Sequence, residues 1–390
     1  MANRTVLVSG AGVAGLTLAY WLRRHGWTPT VVERAPAPRA GGYKIDIRGA
    51  ALDVVARMGL LDEIRARTTD VRGGHVVDAT GRRVAGMDGD TFGGRVHGDA
   101  EIHRGDLVDL LSGATDIDCR YGDAIADLTE TASGVTVTFD SGDTRTYDLV
   151  VGADGLHSRT RRLAFGPEDD YLRSMGYRIA VYSVPNELGL DREELTYVEA
   201  GRTALTYSTA RDDGAKAMFL YAAADSPTDP RAELTAAYRG AGWEVPRLLA
   251  GMADAPDFYA DTLAQVHMGA WSRGRVALVG DAAYAASPAS GQGTSLALVG
   301  AYVLAGELAA TDDHRAAFAA YERRMRPYVE ANQKLGPANV RRMVLRTNAQ
   351  VRMSMLMLGI VGRLPGRDRM MARVIEPIHR AATAIALPDY

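Results

Sequence analysis

The sequence predicts an α/β chain in which a parallel sheet is interleaved with an antiparallel one, with a long C-terminal helix bridging the two. Three observations carry that reading. Thr5 to Glu33 runs strand, glycine-rich turn, helix, strand. Two later apolar strands, Leu149–Val151 and Val276–Val279, each end in a Gly with an Asp close behind. Tyr171 to Asp225 alternates apolar and polar residues in strand-length runs separated by turns, the pattern of an antiparallel sheet with one buried face.

The first unit sets the chemistry. Gly10-Ala11-Gly12-Val13-Ala14-Gly15 follows the apolar run Thr5–Val8 directly. Val13, Leu16, Ala19, Tyr20 and Leu22 then recur at helical spacing up to Gly26, and Thr30–Val32 ends at Glu33. Gly10 permits the tight turn, Gly12 lets the backbone approach a pyrophosphate, and Gly15 lets the helix pack closely on the strand. The helix N-terminus offers free N–H groups and partial positive charge to phosphates. Glu33 can accept hydrogen bonds from ribose hydroxyls and repels a 2′-phosphate, so FAD or NAD is favoured here over NADP; Arg34 weakens that exclusion a little. A bare Gly-x-Gly-x-x-Gly means little in a chain with 42 glycines. With both strands, the helix and the acid in register it predicts dinucleotide binding.

Composition bounds the rest. At 390 residues the chain can form two packed domains. A net charge of −3 gives no electrostatic case for nucleic acid or an anionic membrane. The single cysteine, Cys119, excludes an intrachain disulfide and agrees with a cytoplasmic location. The first strand begins close to Met1, which leaves no room for a signal peptide, and no run of ~20 apolar residues predicts a membrane span. Eight scattered histidines and one cysteine give no metal spacing.

Further along, Gly42 to Gly49 alternates and reads as a strand; Asp46 on it faces either a cofactor or solvent. Helices follow at about Ala50–Arg57 and from Leu60. Gly73–Val96 reads as short strands, and Glu101–Arg104 as a strand running into the helix Gly105–Leu111. Arg104 at that junction can reach over a bound ring system. Gly122–Asp148 reads as a β-meander. In the antiparallel segment Tyr177, Tyr207, Phe219 and Tyr221 are either plain core or the wall of an aromatic substrate site; Arg178 and Arg202 either meet substrate oxygens or are solvated strand residues. Ser287–Gly293 is a turn before the apolar helix Thr294–Leu308. After a charged helix, Asp313–Asn332, Gly336-Pro337 is a break. Val340, Val344, Thr347, Val351, Met355 and Leu358 then fall at steps of four and three, the stripe of one long amphipathic helix. Leu364-Pro365-Gly366 ends it, and a last helix runs from about Asp368 to Ala386 with Met371, Ile375, Ile378, Ala382 and Ile385 on one face.

With Gly10–Gly15, Gly152-Ala153-Asp154-Gly155 and Gly280-Asp281-Ala282-Ala283 in this order and spacing, the chain resembles the single-component FAD-dependent aromatic hydroxylases, with the p-hydroxybenzoate hydroxylase fold. It is closest in style to the tetracycline-degrading and polyketide-tailoring monooxygenases. The resemblance implies that Gly10, Gly12, Ala14 and Gly15 line the FAD pyrophosphate, with Glu33 and Arg34 at the adenosine. Arg104 would contact the flavin half, Asp154 would lie in a motif associated with FAD and NAD(P)H, and Asp281 at the ribityl and phosphate groups; Asp46 stays a cofactor candidate from its place on the strand alone. Pro288, Gly291, Gly293 and Thr294 would form the loop beside the isoalloxazine. Tyr284 stands where the family often has His, and Thr294 where it often has Asn.

The implied reaction takes electrons from NADPH or NADH, bound transiently because no second nucleotide fingerprint exists. It passes through a C4a-hydroperoxyflavin and places one oxygen atom in a large aromatic substrate by hydroxylation, epoxidation or Baeyer–Villiger insertion. Tyr177, Arg202, Tyr207, Phe219 and Tyr221 are the candidate substrate contacts; no side chain of the chain itself needs to be a catalyst. The implied domains are 1–72, 97–170 and 265–335 for FAD, 73–96 and 171–264 for substrate, and 336–390 for the C-terminal helices. The expected state is a monomer or weak homodimer. Two readings compete: another FAD oxidoreductase of the same fold, and a non-catalytic protein that sequesters an antibiotic. The Trp-x-Trp-x-Ile-Pro signature of flavin halogenases is absent, because Trp21, Trp27, Trp243 and Trp271 are isolated.

Overall fold

A computed structural model describes residues 4–38, 42–96, 98–115, 117–223, 229–361 and 367–390. Five parallel strands and one antiparallel edge strand form the sheet that organises it. The order is Ser272–Arg273, Val276–Leu278, Leu149–Gly152, Thr5–Ser9, Thr28–Glu33 and Cys119–Tyr121. Strand alternation divides its residues between two cores. Val6 and Val8 pack with the helices Val13–Arg24 and Gly293–Ala310, while Leu7, Val32, Val150 and Val276 pack beneath the meander Ile125–Tyr147. The central strands are therefore buried on both faces, which is why they read as continuous apolar runs.

A seven-stranded sheet stands beside it. Its order is Tyr259–Val266, Leu172–Val184, Ala215–Ala222, Arg202–Tyr207, Glu193–Glu199, Gly73–Val77 and Arg83–Asp88. All pairings are antiparallel except Glu193–Glu199 with Gly73–Val77. Residues after Asp88 turn into a short helix, Gly89–Gly93, capped by the Asp88 side chain, where the sequence reads as further strand. One face of this sheet is covered by the helices Pro230–Ala237 and Val245–Ala250, with Phe219, Tyr182 and Tyr238 between. A two-stranded ladder, Lys44–Ile47 with Ala100–His103, joins the two large sheets.

The long amphipathic helix expected from Val340 to Leu358 is two helices, Leu335–Met343 and Asn348–Val361. Val344 is extended and fully buried, and the Leu345 carbonyl accepts a hydrogen bond from Gly201 N at 2.6 Å. The chain is thus stitched to the Glu199–Arg202 turn before helix resumes. Thr347 and Gln350 form a reciprocal capping box: Gln350 N donates to Thr347 Oγ1 at 3.2 Å and Thr347 N to Gln350 Oε1 at 3.2 Å. Before the break Val340 and Val344 face the same cluster as Tyr177 and Leu263, and beyond it Val351, Met355 and Leu358 are half-buried. The last helix, Arg367–Ala382, stops earlier than the sequence suggests. Leu364-Pro365-Gly366 and the Met371 side chain lie outside the described residues.

One helix, Gly293–Ala310, is long and apolar enough by composition to cross a membrane, against the expectation of none. It is 78% buried inside this fold, against Val13–Arg24 and the helix His314–Gln333, so its apolar surface is already covered.

Candidate active site

The glycine-rich turn lies at the carboxyl ends of the parallel strands, where open α/β sheets bind ligands. Gly10 has φ +110°, and a Cβ there would stand 2.5 Å from the Ala153 carbonyl oxygen. A Cβ on Gly15 would run into the Gly10 carbonyl. Both glycines are therefore required by the fold itself. Gly12 differs: a Cβ there would meet nothing within 4 Å. Its surroundings are open space at the end of the sheet, where a ligand can approach the backbone. Ala14 is buried and would lie 2.8 Å from a Cβ on Gly280, so its small size allows the first and third motifs to touch.

Glu33 turns back onto this turn. Its Oε2 accepts from Ala11 N at 3.0 Å and its Oε1 from Ala35 N at 2.9 Å. Arg34 is exposed. Asp154 is occupied within its own loop: Oδ1 accepts from Ser158 Oγ, and Oδ2 from Thr160 N and Oγ1, each at 2.9 Å. It holds the start of the helix Arg159–Phe165 and has no oxygen without a hydrogen bond.

Asp281 follows Gly280 (φ +66°) at the end of the strand Val276–Leu278. Its side chain is open to solvent yet crowded on most sides. Burial raises its carboxyl above the ordinary aspartate value, the nearby Arg104 opposes that rise, and Asp261 adds to it. Gly293, the first residue of the helix Gly293–Ala310, sits with its missing Cβ 3.9 Å from Asp281 Oδ1. Pro288 and Gly291 are exposed, and Gly293 and Thr294 half-buried. Gln292 between them is fully buried, and neither amide atom has a hydrogen-bond partner. Such a group has no partner among the protein's own atoms, and a water, an ion or a polar ligand can supply one. The open cradle at Gly12, the accessible carboxylate of Asp281 and the orphaned Gln292 amide together fit a dinucleotide lying across this end of the sheet.

Arg104 begins the helix Arg104–Ala114, and its N–H donates to the Tyr43 carbonyl at 3.1 Å. Asp46 is neither solvated nor free. It pairs with Arg48 at 2.7 Å and lies 3.6 Å from Arg95, inside a buried ion network that continues through Glu101, Lys44 and Glu194. Its Oδ1 has no hydrogen bond.

The five candidate substrate residues divide by sheet face. Tyr207 and Tyr177 are on the face toward the first sheet. The Tyr207 hydroxyl accepts from Lys44 N at 3.2 Å, and Tyr177 packs with Leu220 and Leu263, its hydroxyl unpartnered. Phe219 and Tyr221 point the other way. Phe219 stacks on Tyr182 at 5.7 Å and meets Tyr238 edge-on at 5.0 Å; Tyr221 donates to Glu233 at 3.0 Å. Arg202 pairs with Glu199 and donates to the Ala237 carbonyl at 2.7 Å. These three are removed from the substrate set: they tie the sheet to its covering helices. Arg178, open in the sequence between a substrate contact and a solvated position, is buried and paired with Glu233 at 3.0 Å.

Sequence reasoning missed Tyr43, Tyr259, Asp261 and His157. Tyr43 and Tyr259 rings lie 6.2 Å apart beside Arg104 and Asp281. The Tyr259 hydroxyl donates to Asp261 Oδ2 at 2.9 Å, and Asp261 Oδ1 meets His157 Nε2 at 3.1 Å. The hydrogen bond to Asp261 raises the His157 pKa to about 9 against a smaller effect of burial, and Glu168 at Nδ1 (2.9 Å) adds to it. Burial opposes ionisation of Asp261, but His157 and the hydrogen bonds from Thr262 N and the Tyr259 hydroxyl together outweigh it and the carboxyl stays below its usual value. Period two along Tyr259–Val266 would have placed Tyr259 and Asp261 on one face.

This fold and cradle are those of a dinucleotide-binding protein, and the comparisons with known proteins make it an FAD-dependent monooxygenase. The chain belongs to the FAD binding domain family, whose profile matches residues 3–335. It is 47% identical over 342 residues, 86% of this chain and 89% of the other, to a flavin-dependent monooxygenase from an unidentified prokaryote. The crystal structure of the tetracycline destructase Tet(55) superposes with a TM-score of 0.86 at 42% identity, covering 100% of this chain and 99% of that one. That of the tetracycline destructase Tet(51) gives 0.87 at 36% identity, covering 100% of both.

Proposed function

We propose that this protein uses NADH or NADPH and oxygen to insert one oxygen atom into a large, partly aromatic polyketide of the tetracycline type. The observation that carries the reading is the apolar face of the seven-stranded sheet. Leu205, Met218 and Leu220 share that face with Tyr207, and through Tyr259 and Asp261 it fronts Asp281 and Arg104. Similarity to two tetracycline destructases along the whole chain supports the substrate class.

FAD, when bound, supplies the oxygen activation. The chain's own residues would bind, orient and shield. Gly12 admits the pyrophosphate, and Glu33 receives the adenosine ribose in place of its present bonds to Ala11 and Ala35. Asp281 accepts ribityl hydroxyls, and the first N–H groups of Gly293–Ala310 offer positive potential to the ring edge. Gln292 gains a partner. Residues 1–72, 97–170 and 265–335 would hold FAD, 73–96 and 171–264 the substrate, and 336–390 would close the site. The packing of Leu335–Met343 on the Pro288–Ser290 turn, with Asn339 Nδ2 donating to the Ala289 carbonyl at 3.0 Å, supports that closure.

The test is an absorbance spectrum of the purified protein, then NADH and NADPH oxidation, oxygen uptake and product mass with tetracyclines and other aromatic polyketides. Oxidised-flavin bands, oxidation accelerated by one substrate class and a product heavier by one oxygen atom are expected. A colourless protein that added FAD does not restore, or NADH and NADPH oxidation that no polyketide accelerates, overturns the reading.

A further inference from the structure

Tyr259 is the only large apolar side chain in any strand that stays open among the described residues, with 37% of its surface exposed; the others are on helices or at Tyr390. It is nevertheless held firmly. Its hydroxyl donates to Asp261, Asp261 meets His157, His157 meets Glu168, and Glu168 pairs at 3.0 Å with the fully buried Arg161. This chain of contacts runs from the edge strand of one sheet into the turn that follows Leu149–Gly152 in the other. The anchor fixes the ring in place while leaving much of it open to solvent.

The ring of Tyr259 faces Tyr43 at a 35° tilt, Arg104 N donates to the Tyr43 carbonyl at 3.1 Å, and the charges of Arg104 and Asp281 act on the Tyr43 hydroxyl. The chain has one glycine-rich dinucleotide turn, which FAD takes. A second dinucleotide must be held without a βαβ unit of its own, close to the first, by surface that can stack a ring. We propose that Tyr43 and Tyr259 form the stacking surface for the nicotinamide ring of the reducing dinucleotide, with His157 and Asp261 as positioning residues for Tyr259. Electron-rich phenol faces suit a ring that becomes cationic on oxidation. The proposal rests on the monooxygenase reading above and adds to it where the electron donor binds.

The oxidised dinucleotides NAD+ and NADP+ bind without turnover, so binding to the FAD-loaded protein can be read alone. Saturation-transfer NMR would give both the dissociation constant and the protons that touch protein. Transfer to the nicotinamide ring protons is expected. Tyr259→Ala should weaken binding about tenfold and lose that transfer, Tyr259→Phe should stay within about twofold, and Asp261→Asn should fall between them. FAD retention should be unchanged in all three. An unchanged dissociation constant in Tyr259→Ala, or a wild-type protein that retains FAD but binds neither dinucleotide, overturns the proposal. A wild-type protein that does not retain FAD instead overturns the reading it rests on.

Discussion

Gly12 and Gly15 are three residues apart in one motif, yet substitution by alanine should act on different quantities. At Gly15 the new methyl group would run into the Gly10 carbonyl, which is backbone and cannot swing aside. The helix Val13–Arg24 must then move off its strand. Overpacking of this kind costs about 1–3 kcal/mol, or several degrees of Tm at about 2–4 °C per kcal/mol in a large domain. At Gly12 the methyl group meets no protein atom within 4 Å, so the FAD-free protein should keep its Tm. What it loses is room for the ligand. FAD at 100 times its Kd stabilises the wild type by about 2.7 kcal/mol. If the methyl group weakens FAD a hundredfold, the same concentration gives Gly12→Ala only about 0.4 kcal/mol. Differential scanning fluorimetry of both variants, stripped of FAD and then titrated with it, reads the two effects separately. The expected pattern is a low Tm for stripped Gly15→Ala, and a normal Tm with a collapsed FAD response for Gly12→Ala. A Gly12→Ala protein that loses Tm before FAD is added, or that responds to FAD like the wild type, would refute the assignment of the open space to the cofactor.

Three more expectations follow from the geometry. The His157 pKa, raised to about 9 from an unfolded value of 6.5, contributes stability that is complete below pH 6.5 and lost as pH rises toward 9. Because His157 is half-exposed the effect is small, and Tm measured across that window should fall in the wild type and flatten in His157→Gln. Asp281 has a raised carboxyl pKa, so its ionised form weakens the FAD-free fold at neutral pH. Asp281→Asn should be at least as stable without FAD and should bind FAD more weakly; a loss of stripped-protein Tm would contradict this. Phe219→Ala should cost about 3–5 kcal/mol by chemical denaturation because the ring is fully buried between Tyr182 and Tyr238. Phe219→Leu should fold and leave KM for the polyketide unchanged, whereas a selective rise in KM would return Phe219 to the substrate wall.

Much of the fold was legible because its signals are local. The strand Thr5–Ser9, the turn at Gly10 and the helix after it follow from apolar runs, φ requirements and spacing within some twenty residues. The apolar stripe from Val340 to Leu358 was legible as well, but not the interruption in it. Helix periodicity cannot register a stitch such as Gly201 N to the Leu345 carbonyl, because the partner is more than a hundred residues away. The cap Thr347-x-x-Gln350 was in the sequence and marks where helix resumes.

The site shows the same division. The types and spacing of Gly10, Gly12, Gly15 and Glu33 dictate a dinucleotide turn before any tertiary contact is known, since each answers a constraint within one βαβ unit. Which face of a strand a side chain occupies also follows from parity, but which face fronts the cofactor does not. Only the packing of the helices Pro230–Ala237 and Val245–Ala250 on one side of the second sheet sends Phe219 and Tyr221 into the core, turns Arg202 toward those helices and leaves Tyr207 toward Lys44. Likewise Asp154 and Asp281 carry the same chemistry and follow similar strands. Asp154 is occupied by Ser158 and Thr160 in its own loop, while Asp281 stays open because the residues around it come from three separate parts of the chain. Local sequence determines what a residue is able to do; the folded neighbourhood decides whether its polar atoms are already taken.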